Sequence, residues 1–291
     1  MRTFLDAPAY LATFGFGSPT GNTSYWEALT ALHAHLPAIS NAGGAGYYFV
    51  APLIPINGTM TSQVIGAFLF ANCTNEDDVN TAVKPAIDVI QSIVGNAFLQ
   101  YQVDFLPQTK YFIEESLKGD ADTTGGINIV GSRMISRDFL ATGDGPGNLT
   151  DALKAINSLS PSTGYTTHIV AGGAVARNTS ETALNPAWRR AIAHITFGRS
   201  WNATSSLAEQ RAIQYNLTHV EVPILKALEP DMGAYLNEAD AYEEDFQASF
   251  WGANYARLYE IKQKWDSEGL FIVRRGVGSE DWDDDGICRT H

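Results

Sequence analysis

Four side chains near the carboxyl terminus combine residue types and spacing that could do chemistry. They are Tyr235 and Asn237 in Tyr235-Leu-Asn237-Glu-Ala-Asp240, and Asn254 and Tyr255 in Phe250-Trp251-Gly252-Ala-Asn254-Tyr255. A phenol such as Tyr235 can hydrogen-bond a ligand or, with a lowered pKa, act as a base; an ordinary half-buried tyrosine is the competing reading. The Asn237 amide offers two donors and an acceptor, suited to a polar ring edge or to pinning backbone. Loop capping is its bland alternative, and Trp251 reads as core. Upstream, Tyr165-Thr-Thr-His-Ile-Val-Ala reads as a strand in which Thr167 and Ile169 share one face and neither can act as a base. His168 faces the other way, where a structural histidine is favoured over a catalytic one.

Other chemistries find less support. Cys73 and Cys288 are the only cysteines and fit no metal-ligand spacing, so zinc is set aside and no metal site is expected; one disulfide or two thiols both stay open. The run Glu280-Asp-Trp-Asp-Asp-Asp lacks the alternating oxygen ligands of a calcium loop and reads as a solvated acidic tail. A secreted carbohydrate hydrolase would need paired carboxylates, and no spacing singles out a pair. A formal charge of −13 offers no basic stripe for nucleic acid, and no apolar run reaches the roughly 20 residues of a membrane span.

Such residues need a scaffold, and 291 residues with 45% hydrophobic content supply one. Apolar spacing predicts helices at about 24–40, from Asn75 to Val94, 109–117, 148–159, 205–228 and from Phe250 to Trp265. Strands are expected at Gly46–Ile54, Ser62–Phe70, 98–106, Ile127–Ile135, Tyr165–Ala171 and Ala191–Phe197. Adjacent hairpin-like pairs without a regular βαβ repeat predict an α+β fold, an antiparallel sheet flanked by helices. Residues 230–291 are loop-rich and aromatic, as in a segment that wraps on something else.

Seven N-x-[ST] sequons, at Asn22, Asn57, Asn72, Asn148, Asn178, Asn202 and Asn216, point to the secretory route. The first ten residues carry no basic segment followed by an apolar run, so they do not form a signal peptide. A missing front end reconciles the two.

The motifs of the last sixty residues, with Trp265-Asp266-Ser-Glu-Gly269-Leu270-Phe271 and Gly276-Val-Gly-Ser279 following in order, resemble the carboxyl-terminal segment of FAD-linked oxidases of the berberine-bridge-enzyme, vanillyl-alcohol-oxidase type, in particular the fungal members. Asn185-Pro-Ala-Trp188-Arg and the Trp26 and Gly43-Gly44 stretches resemble the substrate domain of the same family. The resemblance implies a substrate-binding α+β domain over 1–229 and a berberine-bridge-like segment over 230–291. It implies FAD as cofactor, Tyr235 as the catalytic group, and Asn237, Asn254 and Tyr255 at the cofactor. It also implies that the usual carrier of FAD, a separate amino-terminal domain with a flavinylated histidine, is missing here and is the partner against which the tail would pack. Phe250, Trp251, Tyr255, Leu258 and Phe271 would face that partner. Hydride transfer from a small organic substrate to flavin, then to oxygen, is the implied activity; a non-catalytic remnant without flavin is the alternative.

Overall fold

The structure is a computed structural model that describes residues 6–19, 23–56, 59–116, 127–177, 182–283 and 286–290. Seven strands form one antiparallel sheet: β1 (Ala9–Pro19), β2 (Gly44–Ile56), β3 (Thr59–Ala71), β4 (Leu99–Leu106), β5 (Asn128–Ser136), β6 (Tyr165–Ile169) and β7 (Ala191–Ser200), in the order β4-β1-β3-β2-β6-β7-β5. Helices α1 (Ser24–Asn41), α2 (Glu76–Val94), α3 (Lys110–Ser116), α4 (Arg137–Ala141), α5 (Gly145–Leu159), α6 (Gly173–Arg177), α7 (Leu207–Asn216), α8 (Val222–Lys226) and α9 (Tyr255–Trp265) alternate irregularly with the strands. The expected α+β class is what forms.

Strand alternation decides which face is covered. Phe14, Phe16, Tyr48, Val50, Val64, Phe68, Tyr165, Ile169, Ile195 and Phe197 all point to one side and join one core with Leu29, Leu32, Leu36, Ile39, Val83, Ile87, Leu149 and Leu153 of α1, α2 and α5. Gly66 makes this face close: a Cβ there would lie 2.5 Å from Tyr48 Cβ, 2.6 Å from Phe14 Cζ and 2.7 Å from the Tyr47 carbonyl oxygen. The β2–β3 pairing slips between Ala51 and Ile54, at Pro52, which has no N–H to donate to a ladder.

Capping chemistry sets the helix ends. Asn75 accepts from Asp77 N at the start of α2, whose first turn holds Glu76, Asp77 and Asp78. Ser206 and Glu209 form a full capping box on α7. Thr23 precedes α1 but makes no side-chain cap. The Arg137 guanidinium closes the other end of α1, donating to the Pro37 carbonyl, Asn41 Oδ1 and Ser40 Oγ.

Three departures from the sequence expectations stand out. Strand β1 was not foreseen, yet it lies inside the sheet between β3 and β4. The helix expected over 205–228 holds a π-turn at Leu217–Glu221 between α7 and α8. The one expected from Phe250 starts at Tyr255, because Gly252 adopts φ 56° and breaks the turn. The glycine pair Gly125-Gly126, a chain break expected ahead of the strand at Ile127–Ile135, lies outside the described residues. No helix among the described residues is long and apolar enough to cross a membrane.

Candidate active site

The face of the sheet opposite the helices carries the site. His168 on β6 and His194 on β7 are a directly opposed cross-strand pair, and Tyr47 on β2 pairs with His168 on its other side. The rings meet edge to face, 5.0 Å between Tyr47 and His168 and 5.5 Å between His168 and His194. His194 is sealed at 1% side-chain exposure and His168 is half-open at 15%. Farther along the same face Tyr47, Phe49 and Ile65 stay 43–54% exposed. His168 therefore does not behave as a core histidine; it lines an open face. Thr167 and Ile169 are fully buried against the helices, as alternation required.

The tail is laid onto the edge of this face. Met134 N on β5 donates to the Gly233 carbonyl at 2.8 Å, and Ala234 N to the Ser249 carbonyl at 2.9 Å. Buried Asn185 ties the crossing together: its Nδ2 donates to Ser249 O at 2.9 Å and its Oδ1 accepts from Ala187 N at 3.0 Å. Next in the chain, Leu236–Glu238 makes a single 3-10 turn closed by Glu238 N on Tyr235 O. That turn places Tyr235 against Trp188 and His194, at ring distances of 6.0 and 6.2 Å. It also brings Asn237 Nδ2 to the Tyr235 phenol oxygen at 2.5 Å and Glu238 Oε2 to within 3.4 Å of both His168 Nε2 and His194 Nδ1. Tyr235 N donates to His194 Nε2 at 3.3 Å.

Charge at the site follows from these contacts. The His194 contact holds the Glu238 carboxyl below its ordinary range; burial opposes it, and His168 adds to it. Burial lowers His168 below the usual imidazole value, while Glu238 pulls it up and His194 pushes it down. The site is a carboxylate set between two imidazole rings, with burial keeping His168 on the neutral side.

Of the four residues singled out by sequence, the structure brings Tyr235 and Asn237 together and puts Asn254 and Tyr255 elsewhere. Asn254 Nδ2 donates to the carbonyls of Thr182 and Leu184 at 3.1 and 2.7 Å, pinning the chain ahead of Asn185. The Tyr255 phenol donates to the Glu280 carboxylate at 2.5 Å and accepts from Gly278 N at 3.1 Å. Burial and then Glu280 raise its pKa, so it stays protonated. Both serve as loop pins. The acidic run is correspondingly less free than a solvated tail: Glu280 holds Tyr255, Asp281 accepts from Tyr259 and Gln263, and Asp283 accepts from the backbone of Ile287 and Cys288. Cys73 and Cys288 are free thiols.

Sequence reasoning missed His194 and Glu238. Glu238 lies inside the Tyr235–Asp240 motif, and His194 interrupts an apolar strand; strand register pairs His194 with His168, and the Leu236–Glu238 turn brings Glu238 onto both. His168, His194 and Glu238 each offer a ligand atom within 4.8 Å of the others, a grouping that the cysteine count did not anticipate. The Tyr235 N–H on His194 Nε2 argues against a metal there. It leaves the proton of the neutral ring on Nδ1, the atom a cation would need.

Comparison with known proteins agrees with this architecture. The family model for berberine and berberine-like proteins matches residues 234–278, the stretch that contains the Tyr235–Glu238 turn. An uncharacterized FAD-linked oxidoreductase of Arthroderma benhamiae is 41% identical over 100% of this chain and 50% of its own length. The FAD-linked oxidoreductase malF of Malbranchea aurantiaca is 32% identical over 99% of this chain and 47% of its own length. A VAO-type flavoprotein crystal structure from Myceliophthora thermophila C1 superposes with a TM-score of 0.83 at 25% identity, covering 96% of this chain and 49% of that one. The chain thus spans about half the length of the relatives it matches, and over its whole length it is similar to FAD-linked oxidoreductases, with the berberine-like family model matching its tail.

Proposed function

We propose that this chain is the substrate-facing part of an oxidase that takes hydride from a small organic molecule to FAD and passes it on to oxygen. The observation that supports this reading most is the open, aromatic sheet face bordered by the Tyr235–Glu238 turn. A flat apolar surface of Tyr47, Phe49 and Ile65 beside a cluster of polar groups suits a planar ring and the substrate lying between it and the sheet. When bound, FAD supplies the hydride-accepting chemistry. The chain's own residues do the rest. The Tyr235 phenol, 38% exposed and held by Asn237, hydrogen-bonds the substrate. Asn237 also presents its amide toward the cofactor's polar edge. Asn254 and Tyr255 act behind them by fixing the loops that carry Asn185 and Gly278.

Residues 1–229 form the substrate domain in this reading, and 230–291 the segment that docks on a separate FAD-binding domain. Trp265, Leu270 and Phe271, each 77–80% exposed, would be covered by that partner; Phe250, 5% exposed, is already buried by Phe246, Ala234 and Ala239 of this chain and is not available to it. Supplying the flavin-binding half of a relative to the purified chain tests the proposal. Co-purification of a yellow complex that is bleached by an organic donor under anaerobic conditions is the expected result. A colourless mixture with no association would leave the non-catalytic remnant as the better description.

The route through the secretory pathway belongs to the same proposal. Of the sequon asparagines, Asn72, Asn148, Asn202 and Asn216 are exposed; Asn22, Asn57 and Asn178 lie outside the described residues. Expression through a eukaryotic secretory host should give a protein whose apparent mass falls after glycan removal, and an unchanged mass would count against it.

A further inference from the structure

The two histidines under Glu238 are not equivalent. A backbone N–H can only donate, so the Tyr235 N–H at 3.3 Å requires a lone pair on His194 Nε2. The neutral His194 ring then carries its proton on Nδ1, facing Glu238 Oε2 at 3.4 Å, a long contact that acts as a charge–dipole interaction. His194 is sealed in, at 1% side-chain exposure. The carboxylate thus held also meets His168 Nε2 at 3.4 Å, and His168 is the histidine of the pair that opens onto the sheet face beside the Tyr47 ring. A carboxylate on one nitrogen of an imidazole fixes its proton there and leaves the other nitrogen as a base.

We propose that His168, oriented by Glu238, is the proton acceptor of the oxidation, and that His194 is a positioning residue that holds Glu238 in place. This rests on the oxidase reading above. For a substrate with an H–C–X–H group, X being oxygen or nitrogen, the C–H bond breaks and its electron pair leaves as hydride to the flavin. The X–H proton goes to the His168 nitrogen turned away from Glu238, and a C=X double bond forms. The substrate loses two electrons and the flavin gains two. The groups facing His168 are Glu238 from the tail, His194 from β7 and the Tyr47 ring from β2; burial keeps it neutral and able to accept near pH 7.

Nitrogen-15 NMR of histidine-labelled chain reads this arrangement without any flavin. His194 is expected to carry its ring proton on Nδ1 and His168 to carry its own on Nε2. Glu238→Gln should move the His168 midpoint to lower pH, because the carboxylate is the group that raises it. A proton on Nε2 of His194, or a His168 midpoint indifferent to Glu238→Gln, overturns the proposal. In flavin-loaded protein, offered a panel of aryl-methanols, aldoses and secondary amines, His168→Gln should slow anaerobic flavin reduction roughly 10²- to 10⁴-fold. Glu238→Gln should shift the acid limb of that rate downward, while Tyr235→Phe leaves the limb where it was. Reduction by His168→Gln within about twofold of the parent refutes the role assigned to His168. Failure of the parent to be reduced by any donor refutes the oxidase reading instead, and the NMR result then decides the proton arrangement alone.

Discussion

Two buried side chains carry consequences that can be measured one residue at a time. His33 on α1 is completely buried with Nδ1 3.1 Å from Thr150 Oγ1, and burial lowers its pKa to about 3. The unfolded chain takes up a proton near pH 6.5 that the folded chain refuses until about 3, so stability falls as pH drops through that interval. Urea denaturation at pH 7 and pH 4 should show a loss of roughly 3 kcal/mol at the lower pH from this group. His33→Asn should remove most of that difference. Asn185 is the second: losing its amide would leave the Ser249 carbonyl and Ala187 N–H without their partner, at about 1–3 kcal/mol by chemical denaturation of Asn185→Ala. At this scale the sequence was readable where a motif carried the residue. Tyr235 and Asn237 were found that way. His194 was not, because a histidine in an apolar strand gains its meaning from the residue opposite it, and register is a property of pairing.

At the scale of elements, periodicity identified most helices and six of the seven strands, with ends displaced by a few residues. Strand β1 escaped because its outward positions are small: Thr13, Gly15 and Gly17 dilute the alternation that Phe14 and Phe16 would otherwise announce. Its place inside the sheet is nonetheless fixed by those same residues, since Phe14 fills the space left by Gly66 on β3. Gly66→Ala should therefore cost about 1–3 kcal/mol, seen as a lowered thermal midpoint, because the Tyr47 carbonyl cannot retreat without breaking the β2–β3 ladder. The edge strand β5 is joined to the tail by a buried ion pair: Arg133 Nη2 to Glu243 Oε2 at 2.6 Å, with Lys226 on the other carboxylate oxygen at 3.1 Å. Burial raises the Glu243 pKa, but Arg133 and Lys226 outweigh it and hold the group ionised. Glu243→Gln would strand Arg133, 3% exposed, without its counter-charge, and a loss of about 3–5 kcal/mol is expected from chemical denaturation.

At the scale of the molecule, apolar surface stands uncovered among the described residues on the sheet face of Tyr47, Phe49 and Ile65 and on the tail residues Trp265, Leu270, Phe271, Val273 and Ile287. Exposed aromatics on this scale mark a docking or ligand face. The purified chain is expected to bind a hydrophobic dye strongly, and a double substitution Leu270→Ser with Phe271→Ser should reduce that signal without lowering the thermal midpoint by more than a few degrees. A dye-silent parent would show that these surfaces are satisfied within the chain or its self-assembly. Composition and charge set the class of molecule at this scale, but which surfaces stay open depends on where each element ends up.

The Tyr235–Glu238 turn is tied to the sheet at its leading end by main-chain groups, Gly233 O on Met134 N and Tyr235 N on His194 Nε2. Anchorage of that kind is indifferent to the identity of the exposed side chains between and just beyond the anchors. Position 237 can therefore change its chemistry while the scaffold around it keeps its shape, which makes it a natural entry point for retuning what the molecule accepts by directed evolution.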